Sequence, residues 1–107
     1  MVRPLQHPIL DHISLDGILH AMSDPIRREI FFNLEGCEAK PCNKSVEGLA
    51  PSTLSFHYKI LREAGLVHSE KKGIEVLNTI RTKDLNKKFP GLINLIKKFH
   101  NQINQIT

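Results

Sequence analysis

Two cysteines, Cys37 and Cys42, are the most reactive side chains that the sequence holds. The segment between them includes Pro41, and a turn at that proline would bring the two Cα atoms within the ~7 Å that a disulfide requires. Lys40 and Lys44 lie beside them and would favour the thiolate form. Two interpretations stay open: a reversible disulfide that acts as a redox switch, or two ordinary thiols. A permanent structural disulfide is not expected in a reducing compartment.

Patterns typical of catalysis or metal binding are missing from the sequence. His100 has no second His or Glu three or four positions away, and a zinc site needs three or four ligands. His7 and His12 are the one histidine pair close enough to suggest part of such a site. Ser55 and His57 are two positions apart on a predicted helix, so they lie on different faces and form no nucleophile–base pair. We therefore predict a protein that is not an enzyme and that holds no metal and no cofactor.

The segment 51–80 is predicted to form an amphipathic helix followed by a two-stranded ribbon. Small hydroxyl groups crowd the first turn of the helix and basic side chains follow, a composition that lets a helix enter the DNA major groove. The helix N-terminus also favours phosphate, and lysines beside the turn of the ribbon could reach neighbouring phosphates. The residues predicted to contact DNA are Ser52, Thr53, Ser55, Phe56, His57, Lys59, Lys71 and Lys72.

Two of these residues have alternative roles. Phe56 could pack on a thymine methyl group, or it could cover the rim of the core. His57 could contact a base, or it could pack partly buried inside the domain. The sequence leaves both choices open.

Several stretches resemble the ArsR family of winged-helix repressors. Ala21–Arg28 (AMSDPIRR) resembles a characteristic stretch of that family, Ser52–Val67 resembles its recognition helix and the start of its wing, and Lys71–Glu75 is similar to its wing tip. The resemblance implies a winged helix-turn-helix fold, mainly α-helical with a β-hairpin wing. It also implies a dimeric, DNA-binding transcriptional regulator, usually a repressor.

The sequence departs from the family pattern at two places. Ala50 stands where the family usually has a Ser or Thr cap, so either the helix is poorly capped or Ser52 caps a helix that starts later. The family's Cys-x-Cys metal-sensing pair is also missing, since Cys37 and Cys42 are further apart. The resemblance therefore supports no metal site.

Apolar spacing and capping residues predict the elements that would position these side chains. Ser14 and Asp24-Pro25 are predicted helix starts, and Gly36 and Gly65 are predicted helix stops. Residues 1–13 hold two prolines and are predicted to form an irregular N-terminal arm. The predicted helices span 14–22, 24–34, 51–64, 84–89 and 92–106, a short helix fits 45–49, and strands over 66–71 and 74–80 form the ribbon.

The last predicted helix, 92–106, carries an apolar stripe that is larger than one small core needs. Together with the first helix, this stripe is predicted to be buried between the two subunits of a homodimer. The predicted interface comprises Leu15, Leu19, Leu92, Leu95, Ile96, Phe99 and Ile103.

Composition is that of one globular domain. The 107 residues include 40% apolar and 24% charged side chains, and a single domain over 1–107 is predicted. The net charge of +4 suits a polyanionic partner, although residues 1–80 hold nine Lys/Arg and ten Asp/Glu whereas 81–107 hold six and one. No stretch approaches the ~20 apolar residues of a membrane span, and no apolar run marks a secretory signal. A cytoplasmic protein without a membrane partner is expected.

These features together predict a sequence-specific transcriptional regulator, most simply a repressor, that binds double-stranded DNA. The 51–64 helix would enter the major groove and the 66–80 ribbon would contact the backbone. The alternative is a winged-helix module that binds other proteins and not DNA, in which the outer face of the helix would be acidic or apolar. The hydroxyl-rich, basic face favours DNA.

Overall fold

The computed structural model describes residues 2–35 and 48–106. This part of the chain forms five α-helices and one three-stranded antiparallel sheet, with a short 3-10 turn at Leu10–His12. The helices are α1 Leu15–Ala21, α2 Pro25–Phe32, α3 Pro51–Glu63, α4 Thr82–Lys88 and α5 Leu92–Ile106, and the strands are β1 Val2–Pro4, β2 Val67–Lys72 and β3 Glu75–Ile80.

Both predicted helix starts are confirmed. The Ser14 hydroxyl accepts a hydrogen bond from the backbone N–H of Gly17 at 3.0 Å and so caps α1. The Asp24 carboxylate accepts from the backbone N–H groups of Ile26 and Arg27 at 2.8 and 3.0 Å and caps α2. These bonds, chiefly the one from Arg27, favour the ionised form and lower the pKa of Asp24. A proline at the first position of α2 completes this start.

The start of α3 decides between the two alternatives for its N-terminal cap. Helix α3 begins at Pro51 with Ala50 as its N-cap, and no described side chain caps it. The alternative in which Ser52 caps a later start is therefore wrong. Pro51 supplies the physical reason, because its ring presets a helical φ and it lacks one of the N–H groups that a cap would satisfy.

Other predicted helix boundaries differ from those of the structure by about two residues or lie outside the described residues. Helix α2 ends at Phe32 and not near 34, and α4 begins at Thr82 and not at 84. The short helix expected over 45–49 lies largely outside the described residues. The hairpin and the last helix, 92–106, are confirmed.

The expectation of an irregular N-terminal arm is only partly right for residues 2–13: residues 5–9 have no regular secondary structure, but Val2–Pro4 form β1, and the segment is bonded to the domain along its length. The backbone N–H of Leu5 donates to the carbonyl of Ser69 at 3.0 Å, and the Arg81 guanidinium donates to the carbonyl of Pro8 at 2.8 Å. The Lys88 ammonium closes the segment by donating to the carbonyls of Leu10, Asp11 and Ile13 at 3.0, 3.1 and 2.5 Å. The chain therefore adds a third strand to the predicted two-stranded ribbon.

The sheet has the order β1-β2-β3, with β2 at the centre. The hairpin register runs from Val67 opposite Ile80 to Lys72 opposite Glu75. The end of β2 and β3 away from the turn is buried in the domain, and the end near the turn is exposed. The buried apolar residues that hold these layers together are Ile13, Ile18, Ala21, Met22, Ile30, Phe31, Leu34, Tyr58, Leu61, Leu66, Val67, Ile80 and Leu85.

Gly65 forms the corner between α3 and the sheet. Its φ is +83°, and the backbone N–H groups of Gly65 and Leu66 donate to the carbonyls of Arg62 and Leu61, both at 3.0 Å, which closes the helix in a Schellman arrangement. A Cβ at this position would lie 2.5 Å from Cγ1 of Ile13. Gly65 is therefore required both by its backbone conformation and by the close approach of the N-terminal segment.

We expect Gly65→Ala to lower the free energy of unfolding by more than the strain of a left-handed alanine alone. Gly91 is the matched control, since it has the same φ of +83° but open space around the missing Cβ. Gly91→Ala should cost about 1–2 kcal/mol, and Gly65→Ala should add about 1–3 kcal/mol for overpacking against Ile13. Urea unfolding of both variants measures the difference, and equal losses would contradict the proposed clash.

Candidate nucleic-acid interface

One side of helix α3, mostly polar, is exposed to solvent. Its inner side is formed by Leu54, His57, Tyr58 and Leu61, which are buried or half-buried. The Lys59 ammonium lies 3.9 Å from the Glu63 carboxylate, and both side chains are largely exposed, so this pair contributes little stability. The residues that the outer face exposes are Pro51, Ser52, Thr53, Ser55, Phe56, Lys59 and Glu63.

Phe56 and His57 have different surroundings. Phe56 is 58% exposed, so much of its ring stands free on the outer side of α3. His57 is 8% exposed and belongs to the inner side of the helix. The geometry agrees with an internal role for His57, and it leaves more than half of the Phe56 side chain uncovered.

The Arg27 guanidinium holds α3 against the rest of the helical layer. Arg27 is 6% exposed, and its Nε donates to the carbonyl of Ala21 at 2.6 Å while its Nη2 donates to the carbonyl of His20 at 3.3 Å. Its Nη1 lies 3.3 Å from Nδ1 of His57. Because a guanidinium only donates, His57 accepts through Nδ1 and carries its proton on Nε2. One side chain of α2 thus joins the end of α1 to the middle of α3.

Arg28 makes the equivalent connection to α5. Its Nη1 donates to the carbonyl of Met22 at 2.6 Å, and its Nε donates to Nδ1 of His100 at 3.2 Å. Burial, followed by the nearby Arg28 charge, lowers the pKa of His100 and keeps the ring neutral so that it can accept this bond. The adjacent arginines that carried the family resemblance are therefore structural ties to two different helices.

The two lysines near the hairpin turn lie on opposite faces of the sheet. Lys71 shares a face with the buried Val67 and Ser69, because alternate residues of a strand point the same way. Lys72 lies on the other face, directly opposite Glu75. Lys71 is therefore on the side of the sheet that packs against α3, and Lys72 is not.

A cleft of about 530 Å³ separates the start of α3 from the hairpin. Its walls include Leu54 and Tyr58 of α3, Val76 and Asn78 of β3, and Leu5 of the N-terminal segment. Burial raises the pKa of Tyr58 to about 12, so its hydroxyl stays neutral at physiological pH. Helix α3 and the hairpin thus face each other across this cleft.

The N-terminal segment is latched to β2 through His7. The backbone N–H of Ser69 donates to Nε2 of His7 at 2.8 Å, and the His7 ring stacks on the His68 ring with centroids 4.4 Å apart. His68 in turn lies 3.2 Å from the Glu70 carboxylate. Burial, together with the nearby His68, Arg81 and Arg62, lowers the pKa of His7. The neutral ring is the form that can accept the Ser69 bond.

Some predicted groups fall elsewhere. Cys37 and Cys42 lie outside the described residues. His7 stacks on His68 and not on His12, and within residues 2–35 and 48–106 no group of three or more His, Cys, Asp or Glu side chains could hold a metal ion. In that same part of the chain, no helix is long and apolar enough to cross a membrane.

Helices α1 and α5 share an exposed apolar face, hereafter the α1/α5 face. An open depression of about 500 Å³ runs along it, with Leu19, Phe99 and Ile103 among its walls. Leu92 and Ile96 of this face are half-buried against the core. Its more exposed members, between 46% and 54% accessible, are Leu15, Leu19, Leu95, Phe99 and Ile103.

Sequence reasoning missed two features of the sheet, namely strand β1 and the stacking of His7 on His68. Strand β1 is only three residues long and ends at Pro4, so it has no alternation from which a strand could be predicted. The pairing of His7 with His68 spans most of the chain and has no local signal. A signal did exist for the bonds from Arg27 and Arg28 to backbone carbonyls, because a guanidinium has five N–H donors and no acceptor.

Comparison with known proteins identifies no relative: no protein-family model and no curated protein matches the chain.

We expect the folded protein to lose stability in mild acid through His7. Because folding lowers the pKa of His7 below about 6.5, its contribution is fully present above that pH and is lost as the pH falls through the lowered, folded pKa. His7→Gln keeps an acceptor for the Ser69 N–H but does not titrate. The urea unfolding free energy of the parent should fall more than that of His7→Gln between about pH 7.5 and about pH 5.

His7→Phe is the control that keeps a ring but removes the acceptor. It should be less stable than His7→Gln by about 1–3 kcal/mol at neutral pH, because the Ser69 N–H loses its partner. His100 also has a lowered pKa, so some acid loss should persist in His7→Gln. An identical acid loss in parent and His7→Gln would refute the latch.

Proposed function

We propose that this protein is a sequence-specific DNA-binding transcriptional regulator, a winged helix-turn-helix repressor of ArsR type. Helix α3 enters the major groove, and the tip of the β2–β3 hairpin contacts the flanking backbone. The observation that carries the proposal is the outer face of α3, where Ser52, Thr53 and Ser55 are exposed on a helix whose inner face is fixed by Arg27.

The shape of this surface supports the proposal. A helix with short side chains in its first turns can approach the base edges closely, since nothing bulky keeps its backbone out of the groove. Pro51 opens the helix and no described side chain caps it, so the first N–H groups of α3 are available to a phosphate. The hairpin stands beside α3 across the cleft, where it would meet the backbone next to the groove.

The charges on this surface also support DNA as the partner. Lys59 lies on the outer face of α3 and Lys71 lies on the α3 side of the sheet, and the weak Lys59–Glu63 pair does not hold Lys59 away from a phosphate. His57, tied to Arg27 inside the domain, positions the helix and is not assigned a base contact.

A protein-binding module without DNA binding is the second candidate. Phe56 is 58% exposed and Ile74, at the hairpin turn, is fully exposed, so apolar groups are also present on this surface. Phe56 suits a thymine methyl group as well as a protein. Binding of random duplexes over a range of salt concentrations separates the two candidates, because only DNA binding releases phosphate counterions.

We expect changes at Lys71 and Thr53 to affect DNA binding in different ways. Lys71→Ala should weaken binding to all duplexes alike and lower the salt slope by about 0.9, the value for one lost phosphate contact. Lys72→Ala, on the opposite face of the sheet, should have the smaller effect. Thr53→Val replaces the hydroxyl with a methyl group and should change which sequences are preferred, with discrimination at one base pair altered by about 1–3 kcal/mol.

Titration of a randomised duplex pool, followed by sequencing of the bound fraction, measures both effects. If Thr53→Val lowered affinity without any change in preference, α3 would not be the reading element. If the parent bound no duplex at low salt, DNA binding itself would be refuted.

We further propose that the regulator is a homodimer joined through the α1/α5 face. The face combines one helix from each end of the described chain, and its five most exposed side chains are all apolar. Two copies related by a twofold axis would cover the same face on both subunits. The two α3 helices would then read two half-sites.

We expect sedimentation at micromolar concentration to show a dimer that Leu95→Glu converts to a monomer, because the carboxylate would be buried without a partner. Ile74→Glu is the control, since it also replaces an aliphatic side chain with a carboxylate, here at a fully exposed site on the hairpin turn, and it should remain dimeric. A monomeric parent protein would exclude this arrangement.

A further inference from the structure

We infer that the N-terminal strand β1 is part of the nucleic-acid interface and that Arg3 binds a backbone phosphate of the DNA. This inference rests on the proposed function and extends it to a segment outside the helix and the hairpin. The phosphate would be shared between Arg3 and Lys71, its neighbour on β2.

The sheet register places the two basic side chains next to each other. Arg3 lies directly opposite Lys71, so both side chains stand on one face of the sheet. Leu5, two residues along, is on that same face and lines the cleft beside α3. Val76, the other cross-strand neighbour of Lys71, lines it too. The Arg3–Lys71 pair therefore continues the α3 side of the sheet toward the hairpin turn.

Like charges directly opposite each other destabilise a sheet. Neither Arg3 nor Lys71 forms an ion pair with a described residue. By the alternation of the strands, the hairpin carboxylates Glu70 and Glu75 belong to the other face of the sheet, although Glu75, next to the turn, also borders the cleft beside α3. An anion placed between Arg3 and Lys71 would relieve their repulsion, and a phosphate is the anion that a DNA backbone supplies.

The strand holds Arg3 in place before any partner binds. Beyond the β1–β2 pairing, the Leu5 N–H donates to the Ser69 carbonyl and the Ser69 N–H donates to His7. Arg81 and Lys88 tie down the rest of the segment through backbone carbonyls. Binding through Arg3 therefore costs little ordering of the backbone, and a planar guanidinium can donate two parallel hydrogen bonds to one phosphate.

The test compares Arg3→Gln with Arg3→Lys and with Lys83→Gln. Lys83, an exposed residue of α4, loses the same charge at a site outside the interface. Affinities for a pool of duplexes are measured as a function of salt concentration. Arg3→Gln should lower the salt slope by about 0.9 and weaken all duplexes alike, whereas Arg3→Lys and Lys83→Gln should keep the slope of the parent.

The thermal stability of the free protein provides an independent measurement, because Arg3→Gln should not lower it although the same change weakens DNA binding. Removal of Arg3 relieves the repulsion with Lys71, so the Tm of Arg3→Gln without DNA should equal or exceed that of the parent. Hydrogen exchange at the Ser69 amide shows whether the strand remains docked. Weaker binding combined with an undiminished Tm and a protected Ser69 amide would support a direct phosphate contact.

Three results would overturn the inference. If the parent binds DNA and Arg3→Gln keeps its salt slope, Arg3 makes no contact, although the proposed function stands. If Arg3→Gln and Arg3→Lys both weaken binding and both expose the Ser69 amide, Arg3 only holds the strand. If the parent binds no duplex while its Ser69 amide is protected, the proposed function fails and the inference fails with it.

Discussion

The buried guanidinium of Arg27 is the interaction on which the arrangement of the helices depends. It donates to the carbonyl oxygens of Ala21 and His20 at the end of α1, the second of which also accepts from Ser23, and it lies within hydrogen-bond distance of the His57 ring of α3. A buried charge of this kind is stable only when its donors are occupied. A rotation of α3 that moved His57 away would remove the partner of the Arg27 Nη1 donor, so this bond favours the observed orientation of the outer face of α3.

The N-terminal segment is fixed by a similar constraint at Ser69. The backbone of this buried residue bonds to Leu5 and His7, and its hydroxyl donates to the Asn78 side chain at 2.7 Å. Ser69 thus joins β2 both to β3 and to the segment that follows β1. Polar groups that are buried must find partners, and here the partners come from both ends of the domain. The close packing of Ile13 against Gly65 adds a steric limit at the corner where α3 meets the sheet.

Among the described residues, these constraints leave two surfaces exposed, and the proposals concern those surfaces. On one side the hydroxyl groups of α3 stand beside the basic side chains of the sheet, and on the other side the α1/α5 face is apolar. The outer face of α3 is held in place by the rest of the domain. It suits a partner with a regular structure, because groups that are already ordered lose little entropy on binding. In the proposed complex, the repulsion between Arg3 and Lys71 in the free protein would be replaced by the attraction of both side chains to one phosphate.

The sequence by itself determined the local elements. Caps at Ser14 and Asp24, a proline at the start of α3, a glycine at its end and apolar residues at helical or alternating spacing are short-range signals, and each acts within a few residues of the structure that it produces. The polar outer face of α3 and the apolar stripe of α5 follow from the same periodicity. Tertiary structure alone decided the docking of β1, the pairing of His7 with His68 and the bond from Arg27 to His57. Each of these depends on contacts between residues far apart in the chain, where the energy comes from burial and from satisfying polar groups that have no partner nearby in sequence.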